Sequence, residues 1–273
     1  MQIGIHLPHA GEQATPERIR RAAQRAEDLG LSDVWVSEHI IVPRASFPRS
    51  PLFYDPVLSL TWAAAVTRRV RLGTSVLVLP MRHPLPLAKE LATLQNFSEG
   101  RLILGAGVGW LEAEFAALGV PFHERGRRLD EGIAMMSAVW SQDPVTFTGK
   151  YVPAEIAEMT MRPFPVTPIP IWFGARSEAA LRRTVRIGDG WHGSQLTPAE
   201  AAPVVARLRR DRPEPEFTIS LRTHWNGRDH GELRDRIAAY AEIGVQHIMV
   251  HPLDRDIDDW DMVIEGTGRV AAA

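Results

Sequence analysis

Short strand-like runs alternate with longer helical patterns along almost the whole chain, and this alternation restricts the fold more than any other feature. The strand-like runs are predicted at 2–7, 33–36, 70–77, 102–106, 170–173, 190–193, 217–223 and 247–250. Helical patterns lie between them, for example at 17–29, 85–97, 178–187, 199–208 and 233–243. Eight strands separated by helices, without a change of composition that marks a boundary, predict an α/β fold: one (β/α)8 TIM barrel domain spanning residues 1–273. The alternative is a doubly wound open sheet, which five or six strands would suit better than eight.

The alternation is interrupted between predicted strands four and five. This segment contains a helical pattern at 129–140, followed by PVTFTGKYVP (144–153), which predicts a β-hairpin that turns at Gly149. RPFPVTPIP (162–170) is rich in proline and predicts a loop of fixed shape that leads into strand five. We interpret the segment as an insertion on the barrel.

Composition excludes several classes of function. The chain contains 0 cysteines, which excludes disulfides, iron–sulfur clusters, cysteine zinc sites and a thiol nucleophile, and favours a cytoplasmic protein. The net charge of -2 gives no electrostatic reason to bind nucleic acid or an anionic membrane. No apolar run approaches the ~18 residues of a membrane span. We therefore expect a small-molecule substrate, and neither nucleic acid nor a membrane as a partner.

An acid and a histidine, Glu38 and His39, directly follow the second predicted strand in SDVWVSEHIIVPR (32–44). Active sites of TIM barrels lie at the carboxyl ends of the strands, and histidine exchanges protons near neutral pH. Other histidines also stand near strand ends, which raises the alternative of a metal hydrolase. However, His6 and His9 are three residues apart and would face opposite sides of a strand, and no carboxylate cluster accompanies them. No metal site is predicted.

Two predicted strands, 102–106 and 170–173, are directly followed by glycine. GAGVGWLEAEF (105–115) would let a ligand approach the backbone, although its spacing is not that of a dinucleotide fingerprint and a tight turn explains it equally. In WFGARSEAAL (172–181), Gly174 ends the strand and Ser177 can cap the next helix, so that backbone amides and Arg176 would suit a phosphate. The simpler alternative is a capped helix with an exposed arginine. The residues alone thus predict a barrel enzyme with His39 as proton donor or stabiliser and a phosphate-bearing ligand.

Five segments follow one another in order over roughly positions 3–195: GIHLP, AEDLGLSDVWVSEHIIVP, the run from LGTSVLVLPMRHP to GRLILGAGVGW, RGRRLDEGI, and WFGARSEAALRRTVRIGDGWHG. Together they resemble the luciferase-like monooxygenase superfamily, and most closely its F420-dependent oxidoreductase branch. The resemblance implies a barrel with an insertion after strand four and hydride transfer between the deazaflavin coenzyme F420 and a small organic substrate. An FMN-dependent monooxygenase, supplied with reduced flavin by a partner reductase, is the alternative within the family. A non-catalytic flavin-binding barrel is a third alternative.

The resemblance also implies site residues. The coenzyme ring is expected against the ends of strands two to four, in front of a cis peptide at Ser75–Val76. Glu38 and His39 are the expected catalytic pair, although related dehydrogenases usually have Asp-His there. The remaining residues expected to bind the coenzyme are Gly107, Val108 and Gly109 beside the ring, and Gly174, Ala175 and Arg176 at its phosphate.

Trp110, His6 and His192 are the expected wall of the substrate pocket. Trp110 stands where the sugar-phosphate dehydrogenases of the family have a catalytic glutamate, which argues against a sugar-phosphate substrate. Glu112 and Glu114 follow closely, but neither is assigned that role. The resemblance further implies a homodimer formed through the helices that flank strands two and three, at 56–66 and 85–97. Ordinary packing of these helices on the barrel would explain their apolar positions equally well.

Overall fold

The computed structural model describes residues 1–12, 14–47, 50–152, 154–174, 176–252 and 258–273. Its strands are β1 (Gln2–His6), β2 (Asp33–Val36), β3 (Arg71–Thr74), β4 (Leu77–Val78), β5 (Leu102–Gly107), β6 (Val145–Thr148), β7 (Glu155–Met159), β8 (Ile171–Phe173), β9 (Gly190–Ser194), β10 (Thr218–Trp225) and β11 (His247–Pro252). Its helices are α1 (Pro16–Asp28), α2 (Pro56–Val66), α3 (Pro84–Phe97), α4 (Glu112–Ala117), α5 (Arg125–Ser141), α6 (Glu178–Ile187), α7 (Pro198–Asp211), α8 (His230–Glu242) and α9 (Asp258–Ala271).

The parallel strands close into a barrel. Their order is β3-β2-β1-β11-β10-β9-β8-β5-β4, and an additional pairing between β3 and β5 closes the sheet. β4 continues the course of β3 along β5, so that β3 and β4 together occupy one of the eight positions. The prediction of a TIM barrel is therefore confirmed. β2 and β9 are four positions apart in this order and consequently lie on opposite sides of the barrel mouth.

The sequence patterns locate most of the elements. α6 has the predicted bounds, and α1 begins as expected because the Thr15 side chain accepts a hydrogen bond from the Arg18 amide and Pro16 follows it. The single strand predicted at 70–77 is divided into β3 and β4. β6 and β7 form an antiparallel pair, but β7 begins at Glu155, beyond the predicted end of the hairpin at 153. α9 was not predicted.

Apolar side chains pack on both faces of the barrel strands. The larger layer lies between strands and helices and includes Ile5, Val34, Leu72 and Leu104. A separate cluster comes from four different strands and consists of Trp35, Ile103, Trp172 and Met249. These large side chains fill the barrel interior, which leaves the carboxyl ends of the strands as the place for a ligand. Within the described ranges, no helix combines the length and the apolar character needed to cross a bilayer.

Candidate active site

A cavity of about 560 Å³ lies at the carboxyl ends of the barrel strands. Its volume falls within the ~300–1,000 Å³ typical of small-molecule sites. Most of the predicted site residues contribute to its lining: Glu38, His39, Ser75, Val76, Gly107, Val108, Gly109, Trp110, Gly174, Arg176 and His192. Ala175 lies outside the described residues. The strands of the barrel thus bring together side chains that are widely separated in sequence.

The break between β3 and β4 forms one wall of this cavity. The Ser75–Val76 peptide bond is cis, which confirms the conformation implied by the resemblance. The side chain of Val76 packs over two glycines: a Cβ atom added at Gly107 would lie 2.4 Å from Val76 Cγ2, and one at Gly174 would lie 2.8 Å from Val76 Cγ1. These distances are too short for any side chain. The two glycines therefore make the space that Val76 occupies.

His39 is held by a carboxylate from another part of the chain. Its Nδ1 lies 3.0 Å from Glu114 Oε2, and the side chains of His39 and Glu114 are 13% and 3% exposed. The other oxygen of Glu114 accepts hydrogen bonds from the amides of Ile40 (2.6 Å) and Ile41 (3.3 Å). Because a carboxylate only accepts, His39 Nδ1 carries the hydrogen. Across the described ranges no hydrogen bond engages His39 Nε2, and this atom is available to a ligand.

Glu38 has a different environment from the one expected. Its carboxylate does not pair with His39 but accepts hydrogen bonds from the Val78 amide (2.5 Å) and from Arg82 Nε (2.6 Å). Arg82 also donates to Asp55 at 2.5 Å. Burial raises the pKa of Glu38 to about 7, and the Arg82 guanidinium limits the rise. These contacts connect the end of β2 to β4, the second half of the broken strand.

Three aromatic side chains pack around the ring of His39. The ring centroids of Phe47 and Phe53 lie 4.8 Å and 4.9 Å from that of His39, and Trp110 lies edge-on at 6.0 Å. Trp110 is 66% exposed although it lines the cavity. His39 therefore lies at the bottom of an apolar, partly open recess.

Positive charge is concentrated on the opposite side of the mouth. Arg176 and Arg222 line the cavity there, beside Ser194. Arg176 Nε donates to the Ser194 carbonyl oxygen at 3.0 Å and its Nη2 to the Gln195 carbonyl oxygen at 2.6 Å. The amide of Gly174 donates to Ala106 O at 3.0 Å and is thus engaged by β5. This side of the cavity suits an anionic group through arginine side chains.

The two histidines assigned to the pocket wall differ in position. His192 lines the cavity, and burial lowers its pKa to about 3, so the ring is neutral. Its Nε2 lies 2.9 Å from Ser75 Oγ and its Nδ1 lies 2.7 Å from Ser220 Oγ. His6 is not among the described residues that line the cavity and instead packs against His251 and Trp260, with ring centroids 4.4 Å and 5.5 Å away. No group of three or more potential metal ligands occurs among the described side chains.

Several residues of the site were missed by sequence reasoning. Glu114 and Arg82 hold the two members of the predicted pair, and Ser194 and Arg222 belong to the positive side of the cavity. The available signal for Glu114 was weak: it is one of two acids in the first turn of a short helix. For Arg222 the signal was an arginine inside a strand, where a charge requires a partner or a functional role.

Comparisons with known proteins agree with this arrangement. The family model of the luciferase-like monooxygenases matches residues 1–260. An F420-dependent glucose-6-phosphate dehydrogenase from Kineococcus radiotolerans is 36% identical over 186 residues, which are 67% of this chain and 53% of that protein. The aligned region is thus only about half of that relative's length.

Two solved structures share the fold. The monooxygenase RslO1 from Streptomyces bottropensis superposes with a TM-score of 0.82 at 21% identity, covering 100% of this chain and 98% of that one. An F420-dependent secondary alcohol dehydrogenase in complex with an F420–acetone adduct gives 0.81 at 19% identity, covering 97% of each chain. With the barrel, the broken third strand and a family match over nearly all of its length, the chain belongs to the luciferase-like monooxygenase family.

Proposed function

We propose that the protein is an F420-dependent oxidoreductase that transfers a hydride between the deazaflavin and a small, largely apolar alcohol or carbonyl compound. The observation that carries this proposal is His39, whose Nδ1 is held by Glu114 while its Nε2 remains available within an aromatic recess. A proton acceptor beside an apolar recess suits the interconversion of an alcohol and a carbonyl compound. The coenzyme is inferred from the F420-dependent relative and from the fit of the cavity.

The residues present fit such a coenzyme. The cavity is large enough for a ring system, and Val76, seated over Gly107 and Gly174, gives it a flat apolar wall. Arg176 and Arg222 provide the positive charge that a phosphate requires. When bound, F420 supplies a ring carbon that accepts or donates a hydride. Orientation of the reactants and proton transfer are left to the protein.

His39 and Glu114 perform the proton transfer in this proposal. In the oxidative direction the hydroxyl proton of the alcohol passes to His39 Nε2 while the hydride leaves its carbon. Glu114 Oε2 accepts the hydrogen bond from His39 Nδ1–H and stabilises the imidazolium that forms. In the reductive direction, His39 Nε2 returns the proton to the carbonyl oxygen. Electrons and protons balance in either direction if bound F420 takes up or supplies the hydride.

The recess around His39 supports a small apolar substrate. Phe47, Phe53 and Trp110 provide its walls. Arg82, which follows β4, is bound to Glu38 and Asp55. A phosphate on the substrate would have to compete with these two carboxylates for Arg82. A secondary alcohol with short alkyl or aromatic groups would satisfy both the recess and the proton acceptor.

The first experiment is a fluorescence titration of the purified protein with oxidised F420 and, separately, with FMN. We expect micromolar binding of F420 and much weaker binding of FMN. A panel of secondary alcohols is then added, and loss of the absorbance of oxidised F420 reports turnover. Preferential binding of FMN with oxygen-dependent turnover would refute the proposal and assign the chain to the flavin monooxygenases, which require a reductase partner.

We further propose that the chain forms a homodimer through α2. This helix contains no charged residue, yet Leu58 is 71% exposed and Trp62, one turn later, is 47% exposed. An uncharged exposed helix face of this kind is typical of subunit interfaces. Light scattering should give twice the chain mass for the wild type and the monomer mass for Leu58→Glu. Met159→Glu on β7, which is also exposed, serves as the control and should leave the mass unchanged.

A further inference from the structure

A line of buried polar side chains crosses the barrel from the amino-terminal end of its strands to the cavity. It runs from Asp33 Oδ1 to His247 Nε2 (2.8 Å), and from His247 Nδ1 to Ser220 Oγ (2.6 Å). It continues from Ser220 Oγ to His192 Nδ1 (2.7 Å), and from His192 Nε2 to Ser75 Oγ (2.9 Å). All five residues are buried, and we call them the buried chain. Its last member, Ser75, lines the cavity beside the cis peptide.

Asp33, at the end of the buried chain away from the cavity, can only accept hydrogen bonds. Burial alone would raise the pKa of Asp33, but the hydrogen bonds from His247 and Trp35 and the charge of the Arg71 guanidinium outweigh burial and hold the pKa below its usual range. Arg71 donates to Asp33 Oδ2 at 2.7 Å, and the Trp35 indole also donates to the carboxylate. An ionised carboxylate has no hydrogen to donate. His247 Nε2 must therefore be the donor in its contact with Asp33.

This one constraint fixes the direction of the other hydrogen bonds. Asp33 already forms an ion pair with Arg71, so a proton on buried His247 would leave two positive charges around one carboxylate, and we take His247 as neutral. A neutral His247 that donates from Nε2 must accept at Nδ1, and it receives the hydroxyl hydrogen of Ser220. Ser220 Oγ then accepts from His192 Nδ1, which leaves His192 Nε2 to accept the hydroxyl hydrogen of Ser75.

We propose that Asp33 is a positioning residue that acts through the buried chain on Ser75, so that Ser75 offers the cavity a hydrogen-bond acceptor and not a donor. The ligand group recognised at this wall is consequently an N–H or O–H donor. The identification of that ligand as a deazaflavin ring rests on the proposed function, whereas the direction of the buried chain does not. Trp35 stacks on His192 at 4.8 Å with an angle of 6°, which keeps the imidazole plane in line with both serines.

The charged groups near the buried chain are consistent with this direction. Arg222 contacts the cavity end, where its Nη1 donates to the Ser75 carbonyl oxygen at 3.4 Å, and Arg71 contacts the Asp33 end. Burial and the positive charge of Arg222 disfavour a proton on His192. A protonated His247 would reverse all the hydrogen bonds from Ser220 to Ser75. His192 carries its hydrogen on Nδ1 when His247 is neutral and on Nε2 when His247 is protonated.

The experiment is nitrogen-15 NMR of histidine side chains in the ligand-free protein near neutral pH. The His192 and His247 signals are assigned by their loss in His192→Gln and His247→Gln. We expect His192 to carry hydrogen on Nδ1 and His247 to carry it on Nε2. Hydrogen on His192 Nε2, or an equal mixture of the two forms, would overturn the proposal. The tautomers are measured in the wild-type protein, so a change of stability in a variant does not affect the result.

Interrupting the buried chain distinguishes positioning from structural support. In Ser220→Ala we expect His192 to lose its single tautomer and the affinity for F420 to fall about three- to tenfold, the effect of one hydrogen bond. Ser220→Thr should restore both. The control is Ser98→Ala, which removes a buried hydroxyl that donates to Gln95 O outside the buried chain. If Ser220→Ala lowers the melting temperature while His192 keeps its tautomer, the buried chain is only structural and the proposal is refuted. The expected tautomers without F420 binding would instead contradict the proposed function alone.

Discussion

Replacing Glu114 with glutamine is the most direct test of the proton-transfer pair. In the native site one carboxylate oxygen accepts from the Ile40 and Ile41 amides and the other accepts from His39 Nδ1 at 3.0 Å. Glutamine has nearly the same size but only one acceptor oxygen. If that oxygen keeps the two backbone amides, the NH2 group faces His39 Nδ1. The ring must then accept at Nδ1 and carry its hydrogen on Nε2, where the substrate proton is expected to arrive.

The size of the effect follows from the interaction that is lost. A hydrogen bond to a buried carboxylate contributes about 1.5–3 kcal/mol. Because each 1.36 kcal/mol in the barrier is tenfold in rate, kcat should fall about 10- to 150-fold. The free energy of unfolding should change by less than about 1 kcal/mol, since the contacts to Ile40 and Ile41 are retained.

The assay is stopped-flow measurement of hydride transfer at saturating coenzyme, followed by the absorbance of oxidised F420. Glu112→Gln is the matched control because Glu112 is exposed and lies two residues earlier in the same helix. The control should keep the wild-type rate, and both variants should bind F420 with the wild-type affinity. A correctly folded Glu114→Gln enzyme with a rate within threefold of the wild type would refute the assigned role of Glu114.

Three further predictions concern the same site. His39→Ala should lower the rate of hydride transfer far more than the affinity for F420, and unchanged turnover at full occupancy would contradict its role. Burial lowers the pKa of His192 from 6.5 to about 3, so the unfolded chain binds more protons between these values. The free energy of unfolding should therefore fall by about 2 kcal/mol as the pH decreases from 8 to 5. Denaturant titrations of wild type and His192→Gln test this, and equal slopes against pH would count against it. Gly107→Ala should displace Val76 and weaken F420 binding at least about tenfold, because the new Cβ would lie 2.4 Å from Val76. Gly132→Ala, where the nearest atom is 3.6 Å away, should bind normally.

The fold was predictable because its signals are local. The barrel strands are short runs rich in apolar residues. The helices between them have apolar stripes and capping residues such as Thr15 and Ser177. The break in the third strand could not be deduced in this way, because residues 70–77 contain no proline that would mark an interruption. Only the resemblance to a family suggested the cis peptide at Ser75–Val76. The start of β7 was misplaced because Gly149 indicated a tight turn, whereas its amide donates to Ala154 O and β7 begins only at Glu155.

The residues of the site were predictable only in part. The barrel brings all strand ends to one mouth, so His39, Gly107 and Arg176 were found by their positions after strands. Which side chains contact each other was not predictable. Glu114 lies 75 residues from His39 in sequence, and the contact depends on how α4 is placed over the mouth. Arg222 was overlooked because it lies within β10 and not beyond its end.

The most instructive difference between sequence and structure concerns the acid next to His39. Adjacent residues at a strand end point in different directions, so Glu38 and His39 cannot share one environment. Glu38 turns to Val78 and Arg82 and supports the broken strand, whereas His39 turns to Glu114. Glu114 follows the loop at 107–109 by only a few residues, and this loop lines the cavity. A ligand that moves this loop would therefore also move the carboxylate that orients His39. The proximity of these two elements in sequence gives a physical reason for proton transfer to depend on how the coenzyme is seated.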